Sequence, residues 1–97
     1  MKIVFHPLVF TEIDAIMTYY EEIAEFALAD RFFEDFSQTV RRVSENPQSF
    51  SNRAGDFRRA NLRRFPFNLL FRDFPDHVRV LVLRHHSRNP KYGQERT

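Results

Sequence analysis

Residues 8–45 carry two apolar stripes at helical spacing, one directly after the other, with nothing between them that ends a helix. The first runs through Phe10, Ile13, Met17, Tyr20 and Ala24, widened by Ile16 and Ile23. The second runs through Ala29, Phe32, Phe33, Phe36, Val40 and Val43, while Asp30, Glu34, Asp35, Arg41 and Arg42 lie off it. Both have the periodicity of an amphipathic helix. One straight helix over this stretch would be roughly 55 Å long at about 1.5 Å per residue. A single domain of this size, with a radius of gyration of about 13 Å, is only about 26 Å across. The stretch is therefore expected to double back as a helical hairpin. Between the stripes, around Glu22 to Phe26, there is neither Gly nor Pro, so the sequence does not fix where it turns. The start lies at Pro7, or one turn later if Thr11 with Asp14 forms the cap. The end lies at Asn46-Pro47, because the residue before a proline is pushed out of helical geometry.

Strands flank this hairpin. "KIVF" (2–5) is a short apolar run stopped by His6-Pro7. After a polar connection, "PQSFSNRAGD" (47–56), come "FRRANLRRF" (57–65), "FNLLFRDF" (67–74) and "HVRVLVLRH" (77–85), divided by Pro66 and Pro75-Asp76. In the middle run Phe67, Leu69 and Phe71 share a face. In the last run Val78, Val80 and Val82 share one face and Leu81 and Leu83 take the other, so it reads as a central strand. The short gap at Pro75-Asp76 pairs the last two runs as an antiparallel hairpin. The expected fold is a single α+β domain over residues 1–97: an N-terminal strand, a helical hairpin, then a three-stranded antiparallel meander, with the helices on one sheet face.

Charge divides along the chain. Residues 1–50 carry four Lys/Arg against nine Asp/Glu, a balance of −5; residues 51–97 carry eleven against four, a balance of +7. Such separation points to an anionic partner for the second half, or to two layers that complement each other. No cysteine is present, which excludes disulfides and thiolate metal sites. There is no leader-like apolar run at the N-terminus and no segment near the roughly 20 apolar residues that span a membrane, so a cytoplasmic protein is expected.

Three groups of residues can carry chemistry. Arg58, Arg59, Arg63 and Arg64 interrupt "FRRANLRRF". Alternation puts Arg59, Asn61 and Arg63 on one face, and arginine forks read phosphate or carboxylate. Charge on an edge strand also discourages aggregation. His85 and His86 are adjacent and so point to opposite faces. One of them can move a proton near neutral pH; no chelating spacing exists, so no metal or cofactor is expected. The tail "SRNPKYGQER" adds Arg88, Lys91, Tyr92 and Arg96. With Arg63, Arg64 and His85 these can surround a scissile phosphodiester, as in metal-independent ribonucleases. The carboxylates read as lying on solvent faces of the helices, which excludes acid-pair glycoside chemistry. Two glycines are too few for a phosphate loop or a dinucleotide fingerprint.

Taken together, "YYEEIAEFALADRFFEDF", "ENPQSF", "RRFPFNLLFRDF" and "VRVLVLRHHSRNPKY" resemble the RelE/ParE superfamily of bacterial toxins, over nearly the whole chain. The most specific parts are Arg64-Phe65-Pro66-Phe67 and His85-x-x-Arg88-x-Pro90-x-Tyr92. The resemblance implies the toxin of a type II toxin–antitoxin module, of the plasmid-stabilisation kind, neutralised by a cognate antitoxin whose segment wraps it. The terminal segment is more ParE-like, which implies growth inhibition through DNA gyrase. In that case Arg58, Arg59, Arg63, Arg64, Arg88, Lys91 and Arg96 are candidates for target or anion binding. The alternative is a RelE-like endoribonuclease acting on messenger RNA at the ribosome, with Arg63, Arg64, His85, Arg88 and Tyr92 as its catalytic set. A plain nucleic-acid-binding module is the third reading, weakened by the lack of surface aromatics that stack bases.

Overall fold

The computed structural model describes residues 1–52 and 55–97, apart from the side chain of residue 25. Its elements are β1 (Lys2–Phe5), α1 (Pro7–Glu45), a 3-10 turn (Pro47–Ser49), β2 (Phe57–Asn61), β3 (Phe67–Asp73) and β4 (His77–His85). Arg53 and Ala54, in the polar connection, lie outside the described residues.

Pro7 begins the helix. His6 is the N-cap, and its Nδ1 accepts a hydrogen bond from the Leu8 N–H at 3.1 Å. Every residue to Glu45 is helical, yet α1 is not one rod. A straight helix of its 39 residues would be about 58 Å long, and the longest dimension of the molecule is 40 Å. The Tyr20 and Phe32 rings lie 5.9 Å apart, although twelve residues of straight helix separate Cα atoms by about 18 Å. Phe5 reaches Phe10 at 5.7 Å and Phe36 at 6.3 Å, so both arms pack on the same strand. The hairpin is therefore present. Its two arms abut without a non-helical residue between them, which is why no breaker marks the turn.

The sheet order is β1-β4-β3-β2, with β1 parallel to β4 and the other pairs antiparallel. The last strand is central, as its apolar character on both sides requires. Its alternation, however, is broken. Leu70 pairs with Val82 and Phe71 with Val80, so Leu81 is an extra residue, a β-bulge. Val78 and Val80 face α1, and so does Leu83, whereas Val82 and Arg84 face away. The expectation that Val82 shares a face with Val78 and Val80 is thereby corrected.

The core lies between the two arms and the near face of the sheet: Val9, Ile13, Phe32, Phe36, Val43, Ala60, Phe67, Leu69, Phe71, Val78, Val80 and Leu83. Phe32 is its centre, fully buried and within 5.9 Å of the rings of Tyr20, Phe65 and Phe67. Burying a side chain of that size contributes about 1.5–3 kcal/mol. Four stripe residues are not core: Phe10, Ile23 and Phe33 are 55%, 57% and 45% exposed, and Ala24 faces solvent as well.

Candidate functional site

The strand "FRRANLRRF" stops at Asn61 rather than at Phe65. Leu62 enters the core, and its N–H donates to the Phe67 carbonyl at 2.9 Å, closing the β2–β3 connection. The next three N–H groups leave the sheet for one carboxylate. Arg63 N–H donates to Asp35 Oδ1 at 3.1 Å, and Arg64 and Phe65 N–H donate to Asp35 Oδ2 at 2.8 and 3.1 Å. Pro66 has no N–H to place. Asp35 is only 4% exposed, a correction to its expected place on the solvent face. A buried carboxylate is stable when it accepts several such bonds. This turn presents the Arg63 and Arg64 side chains to solvent, beside Arg31, Glu34 and Gln38.

The tail after β4 is built by a second inward-turned carboxylate. β1 pairs with β4 only as far as Val80, which leaves the edge beyond it open. Glu12 Oε1 accepts from the Leu83 N–H at 3.0 Å, and Arg96 Nη1 donates to the Leu81 carbonyl at 3.0 Å. Arg96 and Glu12 pair at 2.9 Å, with side chains only 8% and 14% exposed. Two side chains from opposite ends of the chain thus do the work of a missing strand. The Tyr92 hydroxyl donates to Glu12 Oε2 at 3.5 Å, and the guanidinium groups of Arg88 and Arg96 lie 4.7 and 5.3 Å from the Tyr92 ring. Gly93 has φ +87° and lies on Val82, where a Cβ would come within 2.7 Å of the valine Cβ. Only glycine fits that contact.

The two histidines do face opposite ways. His85 meets the Phe67 ring edge-on at 5.3 Å on the α1 side, and its Nδ1 accepts from the Ser87 N–H at 3.0 Å. His86 lies on the other side, its Nδ1 3.0 Å from Asn68 Nδ2. Arg84 Nε donates to Asn68 Oδ1 at 3.1 Å, which turns the amide nitrogen toward His86. His86 Nδ1 is therefore an acceptor and its Nε2 carries the proton. Burial, then the charges of Arg59 and His85, lower the His86 pKa from its ordinary value, which favours the neutral ring.

Of the candidate residues, His85, Arg88 and Tyr92 line one small depression with Glu12, whereas Arg63 and Arg64 line another with Asp35. Arg58 is half-buried and donates through Nη1 to the Phe50 carbonyl at 2.8 Å. Arg59 lies on the sheet face away from α1, Lys91 is exposed, and Arg96 is held by Glu12. Arg84, Asn68, Glu12 and Asp35 were not legible as site residues. Beside the tail runs an open groove of about 490 Å³ between the first arm and the start of β3, lined by Ile16, Tyr19, Tyr20, Ile23, Phe67 and His85. It continues into the exposed tip, where Tyr19, Ile23 and Phe26 are more than half exposed.

The chain is thus a helical hairpin packed on a four-stranded mixed sheet, with a basic turn and a folded-back tail. The family model for the ParE toxin of the type II toxin-antitoxin system, parDE, matches residues 3–90, and the chain belongs to that family. Among solved structures it is similar to a chain of the chromosomal ParDE toxin–antitoxin system from P. aeruginosa, at a TM-score of 0.77 and 19% identity, over 88% of this chain and 95% of that one. No curated protein matches the sequence. Among the described residues, no helix is long and apolar enough to cross a membrane.

Proposed function

We propose that this type II toxin arrests growth in the ParE manner, by binding DNA gyrase in the cytoplasm, and that a cognate antitoxin neutralises it. The observation that carries the reading is the state of the tail. The Tyr92 hydroxyl is engaged by Glu12 and its ring is contacted by the guanidinium groups of Arg88 and Arg96, while His85 packs on Phe67. A nuclease needs its acid and base free to reach one phosphodiester. Here those groups hold the tail in place, and Arg63 and Arg64 line a separate depression. The basic residues then serve as a contact surface: Arg63 and Arg64 from the Asp35 turn, Arg88 and Lys91 from the tail. The apolar groove beside Tyr19 and Ile23 suits the apolar face of an antitoxin helix.

The test is a map of transcript 5′ ends in bacterial cells after brief induction of the chain without antitoxin. Growth arrest without new cuts inside translated codons is the expected result. Cuts clustered in codons would replace this reading with the ribosome-dependent endoribonuclease. Alanine at His85, Arg88 or Tyr92 would then reduce cutting by orders of magnitude.

A further inference from the structure

Three arginines meet at the turn that Asp35 holds. Arg63 and Arg64 leave it on consecutive residues, and Arg31 reaches the same depression from the second arm of α1. All three are exposed, and among the described residues none of them has a salt-bridge partner. Glu34 lines the depression as well, its Oε1 accepting from Gln38 Nε2 at 3.3 Å. Both Asp35 oxygens are taken by the backbone of the turn.

A fourth arginine stands behind them. Arg42 donates to Thr39 Oγ1 and to the Asn61 carbonyl at 3.1 and 3.2 Å. Burial, then the charge of Arg63, lowers its pKa, against a smaller opposing pull from Asp35. Four guanidinium groups thus share two carboxylates around this turn, and two of the four already repel. An anion placed among them relieves that repulsion.

Size and lining narrow the choice of anion. The depression holds about 110 Å³, the volume of about three to four waters at roughly 30 Å³ each. That is room for one tetrahedral oxyanion and not for a base or a sugar. No aromatic residue lines it, and Phe65 turns inward against Tyr20 and Phe32, so a base has nothing to stack on. A ligand held here keeps the rest of its bulk in solvent, as a backbone phosphate does. Guanidinium forks match the oxygens of phosphate. The turn is fixed in advance by three bonds to a buried carboxylate, which leaves little ordering to oppose binding.

We propose that Arg31, Arg63 and Arg64 clamp one backbone phosphate of the DNA on which gyrase acts, so that the toxin holds the enzyme's DNA as well as its protein surface. The inference rests on the gyrase reading for the source of the phosphate. Contacts of this kind fix position and carry no sequence information.

Titration of the full chain with inorganic phosphate, read by the NMR resonances of the three arginine Nε–H groups, tests the site without gyrase. Those resonances are expected to shift, and to shift in the same pattern with a short DNA duplex. Arg31 is exposed on α1, so its replacement leaves the core untouched. Arg31→Gln is expected to weaken phosphate binding about tenfold, the loss of one charge-assisted contact. Lys2→Gln removes a charge from β1, at the opposite edge of the sheet from β2, and is expected to leave binding unchanged. Unmoved resonances, equal weakening by the two variants, or displacement of phosphate by acetate at lower concentration would each overturn the proposal. Tighter binding of thymidine monophosphate than of the duplex would overturn it too, in favour of a free nucleotide. If phosphate fails to bind while the toxin still stops gyrase, the site falls and the gyrase reading stands.

Discussion

Asp35→Ala unfolds at a markedly lower urea concentration than the parent chain, with a loss of about 3–5 kcal/mol. Three consecutive N–H groups, from Arg63 to Phe65, have that carboxylate as their acceptor at 2.8–3.1 Å. Hydrogen bonds to a charged acceptor contribute about 1.5–3 kcal/mol each, though not additively, and donors left unpaired add their desolvation cost. Asp35→Asn discriminates. Its amide keeps one oxygen, which serves Arg64 and Phe65, but turns an NH2 toward the Arg63 N–H. The expected loss is smaller, about 1–2 kcal/mol. An alanine variant within about 0.5 kcal/mol of the parent would mean the turn finds its acceptors elsewhere. The consequence for function follows from the same contacts. Arg63 and Arg64 are aimed by this turn, so Asp35→Asn weakens target binding more than its stability loss alone accounts for.

The second large effect is expected at Glu12. Glu12→Ala leaves Arg96 charged at 8% side-chain exposure without a counter-ion, and strips the Leu83 N–H of its acceptor. Removing one partner of a buried pair costs about 3–5 kcal/mol. Arg96 Nε is already buried without an acceptor, so the pair has no spare contact to fall back on. Deletion of both charges, Glu12→Leu with Arg96→Met, is expected to cost less than the sum of the two single changes. It does not become neutral, because the Leu83 N–H and the Leu81 carbonyl remain open. Hydrogen exchange at the Leu83 amide reads this directly. It is slow in the parent chain and fast in Glu12→Ala, and equal rates in both would contradict the assignment.

The elements that local pattern controls were legible. Two stripes predicted two helical arms, and the apolar run of β4 predicted a central strand. The turn between the arms was not marked, because two abutting helix ends need no Gly or Pro. The bulge at Leu81 was hidden for a different reason. Alternation within one strand says nothing about where its partner's register slips, and that slip sends Arg84 to the far face. "FRRANLRRF" reads as one strand because its apolar spacing continues past Asn61. What stops it is Asp35, up to 30 positions earlier in the chain. Glu12 lies 71 positions from the Leu83 N–H it accepts. A carboxylate turned inward toward a distant backbone looks, in one sequence, like any other polar residue of an amphipathic helix. The arginines and the tail were singled out as a group, but only the fold separates those that hold the tail, such as Arg96, from those that face solvent, such as Arg63, Arg64 and Arg88.

The most direct measurement is supercoiling of relaxed plasmid by purified gyrase in the presence of the folded, antitoxin-free chain. Supercoiling is expected to stop as the toxin approaches stoichiometry with gyrase, and to resume when the cognate antitoxin is added. Supercoiling that proceeds unchanged in a large excess of correctly folded toxin would contradict it.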